Sequence, residues 1–303
     1  MQLGQMKKYK LAALLLLLSA LLVLLLPGWA ARREGFQLTL LDVGQGDALL
    51  VSADGYNVLI DGGGRPTDIT GMAERVVIPY LKAQGIGRLD VVFNTHPDTD
   101  HIGGLFAVLD EMRVDYLAVF RGYLASERQE QLLALAEARG VPVLAVAAGE
   151  VFQFSDNFRI EVLGPLSGAE FNPEQVNNGS LVLRISYQDF DVLTCGDLVG
   201  EQLHMAVAGL DCSEIEVLQL PHHGSRYSYD ESWYAGFAPQ AVFISVGRDN
   251  SFGHPGAAVV KYWQRRGVPI WRTDLHGSCR ISYRNGQAYF ESALDDSRLL
   301  DAD

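Results

Sequence analysis

The run Leu89-Asp90-Val91-Val92-Phe93-Asn94 leads into His96-Pro97-Asp98-Thr99-Asp100-His101, and this junction limits what the chain can become. An apolar run rich in β-branched and aromatic residues is a buried strand, and side chains at its end project from a rigid element. Here that end carries four metal-capable side chains within six residues, followed by Gly103-Gly104. Imidazole with carboxylate suits Zn²⁺, Mn²⁺ or Fe rather than a calcium loop, and this density of ligands suits a pair of ions. The bland alternative, a solvated loop rich in Asp and His, fails because the arrangement recurs. Val58-Leu59-Ile60 ends in Asp61 and Gly62-Gly63-Gly64, Val192-Leu193-Thr194-Cys195 ends in Gly196-Asp197, and Val217-Leu218-Gln219-Leu220 ends in Pro221-His222-His223-Gly224-Ser225. Four strand ends that each deliver Asp or His are hard to explain as packing. A histidine pair at a strand end is also poor core material, because alternating side chains cannot both face inward.

These segments resemble the metallo-β-lactamase superfamily, whose His-x-His-x-Asp-His signature is completed by a later Asp and a later His. Within it, the chain is most similar to the extracellular C-terminal hydrolase domain of ComEC-type DNA-uptake (competence) proteins. The resemblance rests on Leu41-Asp42-Val43-Gly44-Gln45-Gly46-Asp47, on Asp98 at the third signature position, and on Asn177-Asn178 leading to Ser180-Leu181-Val182-Leu183. It also rests on Gly196-Asp197, on Pro221 to Ser225 and on Gly253-His254-Pro255, and it runs from about Phe36 to about Phe290. It implies an α/β fold, the αβ/βα four-layer sandwich of two mixed sheets with helices outside. It further implies two divalent metal ions, Zn or Mn, with hydrolysis by a hydroxide held between them.

Carried over residue by residue, the resemblance puts His96 and Asp98 on one metal and Asp100 and His101 on the other, with Asp197 bridging. His222 or His223 completes the second site, and the sequence does not say which. Asp100 also orients the attacking hydroxide, and His254 is a candidate acid for the leaving group or a donor to a phosphate oxygen. Asp47 and Asp61 are expected to support the ligands, as are Asn178 and Ser225 unless they touch substrate. Asp42 does the same or caps a turn. Gly103-Gly104 is expected to offer backbone N–H groups to an anion. Most superfamily members carry a His near Asn178; an amide is a poor ligand, which makes the His96/Asp98 metal the weaker or harder one.

At the N-terminus, Lys7, Lys8 and Lys10 precede an apolar run from Leu11 to Leu26 and then Pro27-Gly28-Trp29-Ala30-Ala31. This is the layout of a secretory signal. Cleavage after Ala30 and retention as a membrane anchor are both compatible with it, and both place the rest of the chain at the cell surface or beyond. The expected organisation is a signal or anchor at 1–31, the hydrolase domain at 36–292 and an acidic tail at 293–303. The net charge of −13 argues against a surface that grips long nucleic acid, which would be basic, leaving only a local patch around Arg226, Arg248 and Lys261. Three cysteines, 195, 212 and 279, leave at least one thiol unpaired within the chain, and Cys195 reads as a small core residue.

Helices are expected over Ile69–Gln84, Ile102–Met112, Ser126–Arg139 with Ser126 as N-cap, Gly200–Ala208, Ser232–Ala235 and Ala257–Arg266. Other catalytic plans are missing: no Gly-x-Ser-x-Gly, no His-Glu-x-x-His, and no Gly-Lys-Ser/Thr after Gly62-Gly63-Gly64. The leading expectation is an exported phosphodiesterase or nuclease acting on a phosphodiester such as single-stranded DNA. The rivals are a cell-wall phosphorylcholine-type esterase and a non-catalytic surface protein of DNA uptake; oligomeric state is not legible.

Overall fold

The computed structural model describes residues 35–123, 126–166 and 176–294. The expected signal or anchor at 1–31 and residues 295–303 of the expected tail lie outside them. From Gly35 onward the chain packs as one unit. Among the described residues, no helix is long and apolar enough to cross a membrane.

The strands in chain order are β1 (Phe36–Leu40), β2 (Leu49–Ala53), β3 (Tyr56–Ile60), β4 (Arg88–Leu89), β5 (Val91–Asn94), β6 (Arg113–Val114), β7 (Leu117–Phe120), β8 (Val143–Val146), β9 (Val151–Gln153), β10 (Phe158–Gly164), β11 (Val182–Tyr187), β12 (Phe190–Thr194), β13 (Val217–Gln219), β14 (Ala241–Ile244), β15 (Ile270–Arg272), β16 (Cys279–Arg284) and β17 (Gln287–Ser292). Eight form one sheet in the order β17-β16-β1-β2-β3-β5-β7-β8, and seven form a second in the order β15-β14-β13-β12-β11-β10-β9. Both sheets are mixed. Antiparallel pairing joins β17 through β3 and β12 through β9, whereas β3-β5-β7-β8 and β12-β13-β14-β15 are parallel. The parallel halves follow from connections long enough to hold a crossover helix.

Two-residue periodicity divides each strand between two apolar layers. Val58, Ile60 and Phe93 face the other sheet and meet Phe158, Ile160, Val192 and Phe243 in the central core. Leu59 and Val92 point the other way, onto Leu81, Leu105 and Val108 of the outer helices. Leu193, Leu218 and Val242 do the same on the second sheet, against Trp233, Tyr234 and Trp263. Three apolar seams between helix, sheet, sheet and helix make the four-layer sandwich. Each fully buried large apolar side chain contributes about 1.5–3 kcal/mol relative to exposure.

The expected helices form with ends shifted by a few residues, and one differs in kind. Over Ile69–Gln84 the chain is a π-helical turn at Ala73–Val77 that passes into an α-helix at Ile78–Ala83. Pro79 explains this, since a proline ring has no N–H and crowds the carbonyl four residues earlier. The helix Glu127–Ala138 has Ser126 at its N-cap position, but the Ser126 side chain makes no cap hydrogen bond. The second expected helix starts earlier, at Thr99, and runs to Glu111, so His101 and Asp100 lie in its first turn.

Candidate metal centre

Five strand ends converge. β3 runs into Asp61, β5 into Thr95 and His96, β12 into Gly196-Asp197, β13 into His222 and His223, and β14 into Ser245. All are carboxyl ends in the parallel halves of the sheets, the edge at which open α/β sheets bind ligands.

Asp197 stands between two groups of imidazoles. Its Oδ1 lies 3.3 Å from His101 Nε2 and 3.5 Å from His223 Nε2, and its Oδ2 lies 3.6 Å from His222 Nε2 and 3.8 Å from His96 Nε2. Asp100 Oδ2 joins the first group at 3.4 Å from His223 Nε2, and Asp98 Oδ2 joins the second at 3.7 Å from His96 Nε2. Asp98 takes the N-cap position of its helix without a side-chain cap hydrogen bond, so its carboxylate stays available to the site. His96, His101, His223 and Asp197 are buried.

Hydrogen bonding on the far side of each ring fixes what its Nε2 presents. Asp61 Oδ2 accepts His101 Nδ1–H at 2.8 Å, and the Ser245 carbonyl accepts His223 Nδ1–H at 2.9 Å. The Thr95 hydroxyl spends its proton on Asp61 Oδ2 at 2.6 Å, so its oxygen accepts His96 Nδ1–H at 3.0 Å. Each Nε2 therefore presents a lone pair to a carboxylate. In accord with this, the Nε2 atoms of His96, His101 and His223, and Asp197 Oδ1, are buried without a hydrogen-bond partner among the described residues. Acceptors facing acceptors at this depth are costly, and a cation between them resolves the conflict. Metal–ligand bonds of about 2.0–2.2 Å in tetrahedral geometry put neighbouring ligand atoms about 3.3–3.6 Å apart, close to the spacings here. The donor set fits divalent metal ions: His96, His101 and Asp197 form one group able to hold an ion, and Asp100, His101 and His223 form another.

Asp47, Asp61 and His101 make a third close cluster, but its imidazole atom is the Nδ1–H already donated to Asp61. That cluster is better read as the layer beneath the ligands. Asp61 accepts four donors, from Thr95 N–H and Oγ1–H, Asn94 Nδ2–H and His101 Nδ1–H. Burial pushes its carboxyl up, yet four converging donors suit only the ionised form, which accepts without donating. Asp47 Oδ2 accepts Gln219 Nε2–H at 2.8 Å, and Oδ1 lies 3.5 Å from His223 Nδ1.

The electrostatics are those of a site built for positive charge. Burial opposes ionisation of Asp197, but His223 and His101 hold it well below the usual carboxylate range. Burial likewise opposes charge on His223 and His101, and Asp197 in both cases, with Asp61 at His101, pulls them well above the usual imidazole value. His96 is pushed down to about 3 by burial and then by His101. Left to protons, the acidic set charges two of its histidines; a metal ion takes the place of those protons.

The strand end after β13 brings both histidines to the site. His222 and His223 have φ of 52° and 54°, and Gly224 follows at 67°. Consecutive left-handed residues, unusual outside glycine, replace strand alternation with a turn that aims both rings at Asp197. His223 falls with Asp100 and His101. His222 falls on the other face of Asp197 with His96, where the sequence suggested a deficit of imidazole.

Several expected positions land elsewhere. The amide beside the site is Asn177, whose Nδ2 donates to His222 Nε2 at 3.4 Å; Asn178 does not line the cleft. Ser225 is fully buried outside the cleft wall and accepts the Tyr227 amide at 3.2 Å, so it caps the next turn. Asp42, by contrast, takes one of its two expected roles and caps a turn by accepting Gly44 N–H at 3.1 Å. Gly103-Gly104 does not present free N–H groups to an anion: Gly104 N–H donates to the Gly63 carbonyl at 2.7 Å, and the pair exists to let the Gly62-Gly63-Gly64 loop press against the helix. A Cβ on Gly104 would come within 2.0 Å of the Gly62 oxygen.

His254 lines the same cleft. Gln45 Nε2–H donates to its Nδ1 at 3.4 Å, so the ring proton sits on Nε2. Burial, then His223 and His222, push it down to about 4. The cleft has a volume of about 590 Å³, and Arg65, Arg128 and Arg248 are among its walls. Of the basic residues suggested by sequence, only Arg248 lines it; Arg226 and Lys261 do not. Residues missed in the sequence, Thr95, Gln45 and Gln219, leave faint signals: Gln219 is a polar residue inside an apolar strand, and Gln45 sits within the Gly-Gln-Gly-Asp turn.

The chain matches the family described as the Metallo-beta-lactamase superfamily over residues 41–235. It is 31% identical to ComE operon protein 3 of Bacillus subtilis over 261 residues, covering 82% of this chain and 33% of that protein. It is 30% identical to competence protein ComA of Neisseria gonorrhoeae over 289 residues, covering 91% and 38%. The chain thus spans about a third of the length of these curated relatives. Among solved structures, the metallo-beta-lactamase fold protein YhfI from Bacillus subtilis superposes with a TM-score of 0.52 at 11% identity, covering 84% of this chain and 99% of that one; at that identity the likeness concerns the fold.

Proposed function

The chain belongs to the metallo-β-lactamase superfamily and is related to competence proteins, and from that premise we propose that it is an exported metal-dependent phosphodiesterase that cuts single-stranded DNA. The observation that carries the reading is Asp197, whose two oxygens each lie within 4 Å of the Nε2 atoms of two histidine rings. That supports a site for two divalent ions, Zn or Mn, to both of which Asp197 would contribute. His101, His223 and Asp100 would hold one, and His96, His222 and Asp98 the other. When bound, such ions lower the pKa of water and neutralise charge on an attacked phosphoryl group.

The chain's own residues supply the rest. Asp61, Thr95 and the Ser245 carbonyl keep the proton of each supported imidazole on Nδ1, so the ligand atom is always Nε2. Asp100, partly open to the cleft, stays ionised: burial raises its carboxyl, but the neighbouring His223 and His101 imidazoles hold it low. It is placed to accept a hydrogen bond from an attacking water. His254 is neutral at physiological pH, and its Nε2–H suits donation to a phosphate oxygen better than protonation of a leaving group. Arg65, Arg128 and Arg248 supply positive charge for neighbouring phosphates. Location outside the cell is supported by Lys7, Lys8, Lys10 and the apolar residues after them.

Elemental analysis of the purified chain, paired with turnover of bis-(p-nitrophenyl) phosphate and of single-stranded DNA, tests this. About two equivalents of metal with cleavage of both substrates is expected, and Asp197→Ala, still folded, should lose both metal and activity. Turnover of the small diester without DNA cleavage would turn the reading toward an esterase. Neither metal nor turnover would leave a binding protein.

A further inference from the structure

Phe252 stands apart at the mouth of the cleft. It is 62% exposed although large and apolar, and it lines the cleft beside Asn250, Ser251 and His254. Its ring stacks on His254 at 5.7 Å and 27°, and His254 in turn lies against His223 at 6.0 Å and 29°. The three rings follow one another outward from the ligand cluster, each inclined by less than 30° to the next. One face of Phe252 rests on His254, which leaves the other for an incoming group.

The platform is held in place. Asn250 donates from Nδ2 to the carbonyls of Gly247 at 3.0 Å and His254 at 2.7 Å, and its Oδ1 accepts His254 N–H at 3.0 Å. Gln45 ties the His254 ring from the opposite loop and accepts Gly247 N–H at 3.3 Å. A rigid exposed aromatic beside a phosphate-binding cleft is the arrangement that stacks a flat base without reading its sequence. We propose that Phe252 is a specificity-determining residue that stacks the nucleobase flanking the scissile phosphate, so that the enzyme selects nucleotide diesters over diesters without an aromatic group. This rests on the phosphodiesterase reading above.

The test compares two oligomers of equal length and phosphate number, one bearing bases and one built on abasic tetrahydrofuran units, with the full chain and Mn²⁺. The wild type should favour the base-bearing strand by about tenfold in kcat/KM, mostly through KM, given the usual contribution of one stacked base. Phe252→Ala should collapse that preference, and Phe252→Trp should keep it. Circular dichroism and melting serve as the folding control, which an exposed side chain should leave intact. Equal cleavage of both strands by the wild type, or a Phe252→Ala loss shared equally by both, overturns the proposal while leaving the phosphodiesterase reading standing. Failure of the wild type to cut either strand overturns both.

Discussion

At the scale of single residues, the centre works by controlling protons at a distance. Asp61 touches no proposed ligand atom, yet it fixes the His101 ring and, through Thr95, the His96 ring. Replacing it with asparagine aims an amide N–H₂ at donors. The expected result is a folded protein with metal affinity reduced about 10- to 100-fold, the usual cost of removing such a partner, as read by calorimetric titration with Mn²⁺ or Zn²⁺. Unchanged affinity would mean that the imidazoles are oriented by packing alone. Much of this layer was visible as a residue list: Asp61 stands out because a strand ends in it, and Asp47 because it closes the Gly-Gln-Gly-Asp turn. What the sequence could not resolve was the division of labour between His222 and His223, or between Asn177 and Asn178. Those choices depend on backbone torsions, and nothing in the side-chain pattern announces two consecutive left-handed histidines.

At the scale of elements, the helix Thr99–Glu111 and the turn after β3 are one construction. Gly62 N–H donates to the His101 carbonyl, and Gly104 N–H donates to the Gly63 carbonyl. This backbone-to-backbone contact sets the height of Asp61 against His101. Gly104→Ala should cost about 1–3 kcal/mol through overpacking, which melting would report as a drop of several degrees. Gly87→Ala is the control, because nothing lies within 4 Å of a Cβ there; that change should be neutral or slightly stabilising. If both variants melted alike, the close approach would not be the reason for the glycine. Strand and helix order were readable from apolar periodicity and from stops such as Gly85 and Gly140. The π-turn at Ala73–Val77 and the role of Gly103-Gly104 were not, since each depends on which backbone lies opposite.

At the scale of the whole molecule, an acidic chain carries a cleft with arginine on its walls. For the proposed phosphodiester substrate, the net charge of −13 and the sparse basic residues of the cleft would favour brief, local engagement over tight tracking along a strand. The division of the centre between the two sheets has a larger effect. Asp47, Asp61, His96, Asp98, Asp100 and His101 come from loops of the first sheet, while Asp197, His222, His223 and Ser245 come from the second. Neither sheet owns a complete site. A cation bound there would act as a clasp across the seam of the sandwich, so that prying the sheets apart means first extracting the ion. Metal at about a hundred times its dissociation constant should then add about 2.7 kcal/mol of stability. Stripping it with a chelator should speed hydrogen exchange in β5 and β13 together, on opposite sides of the seam, and a change confined to one sheet would show that the halves are fastened by their apolar faces alone.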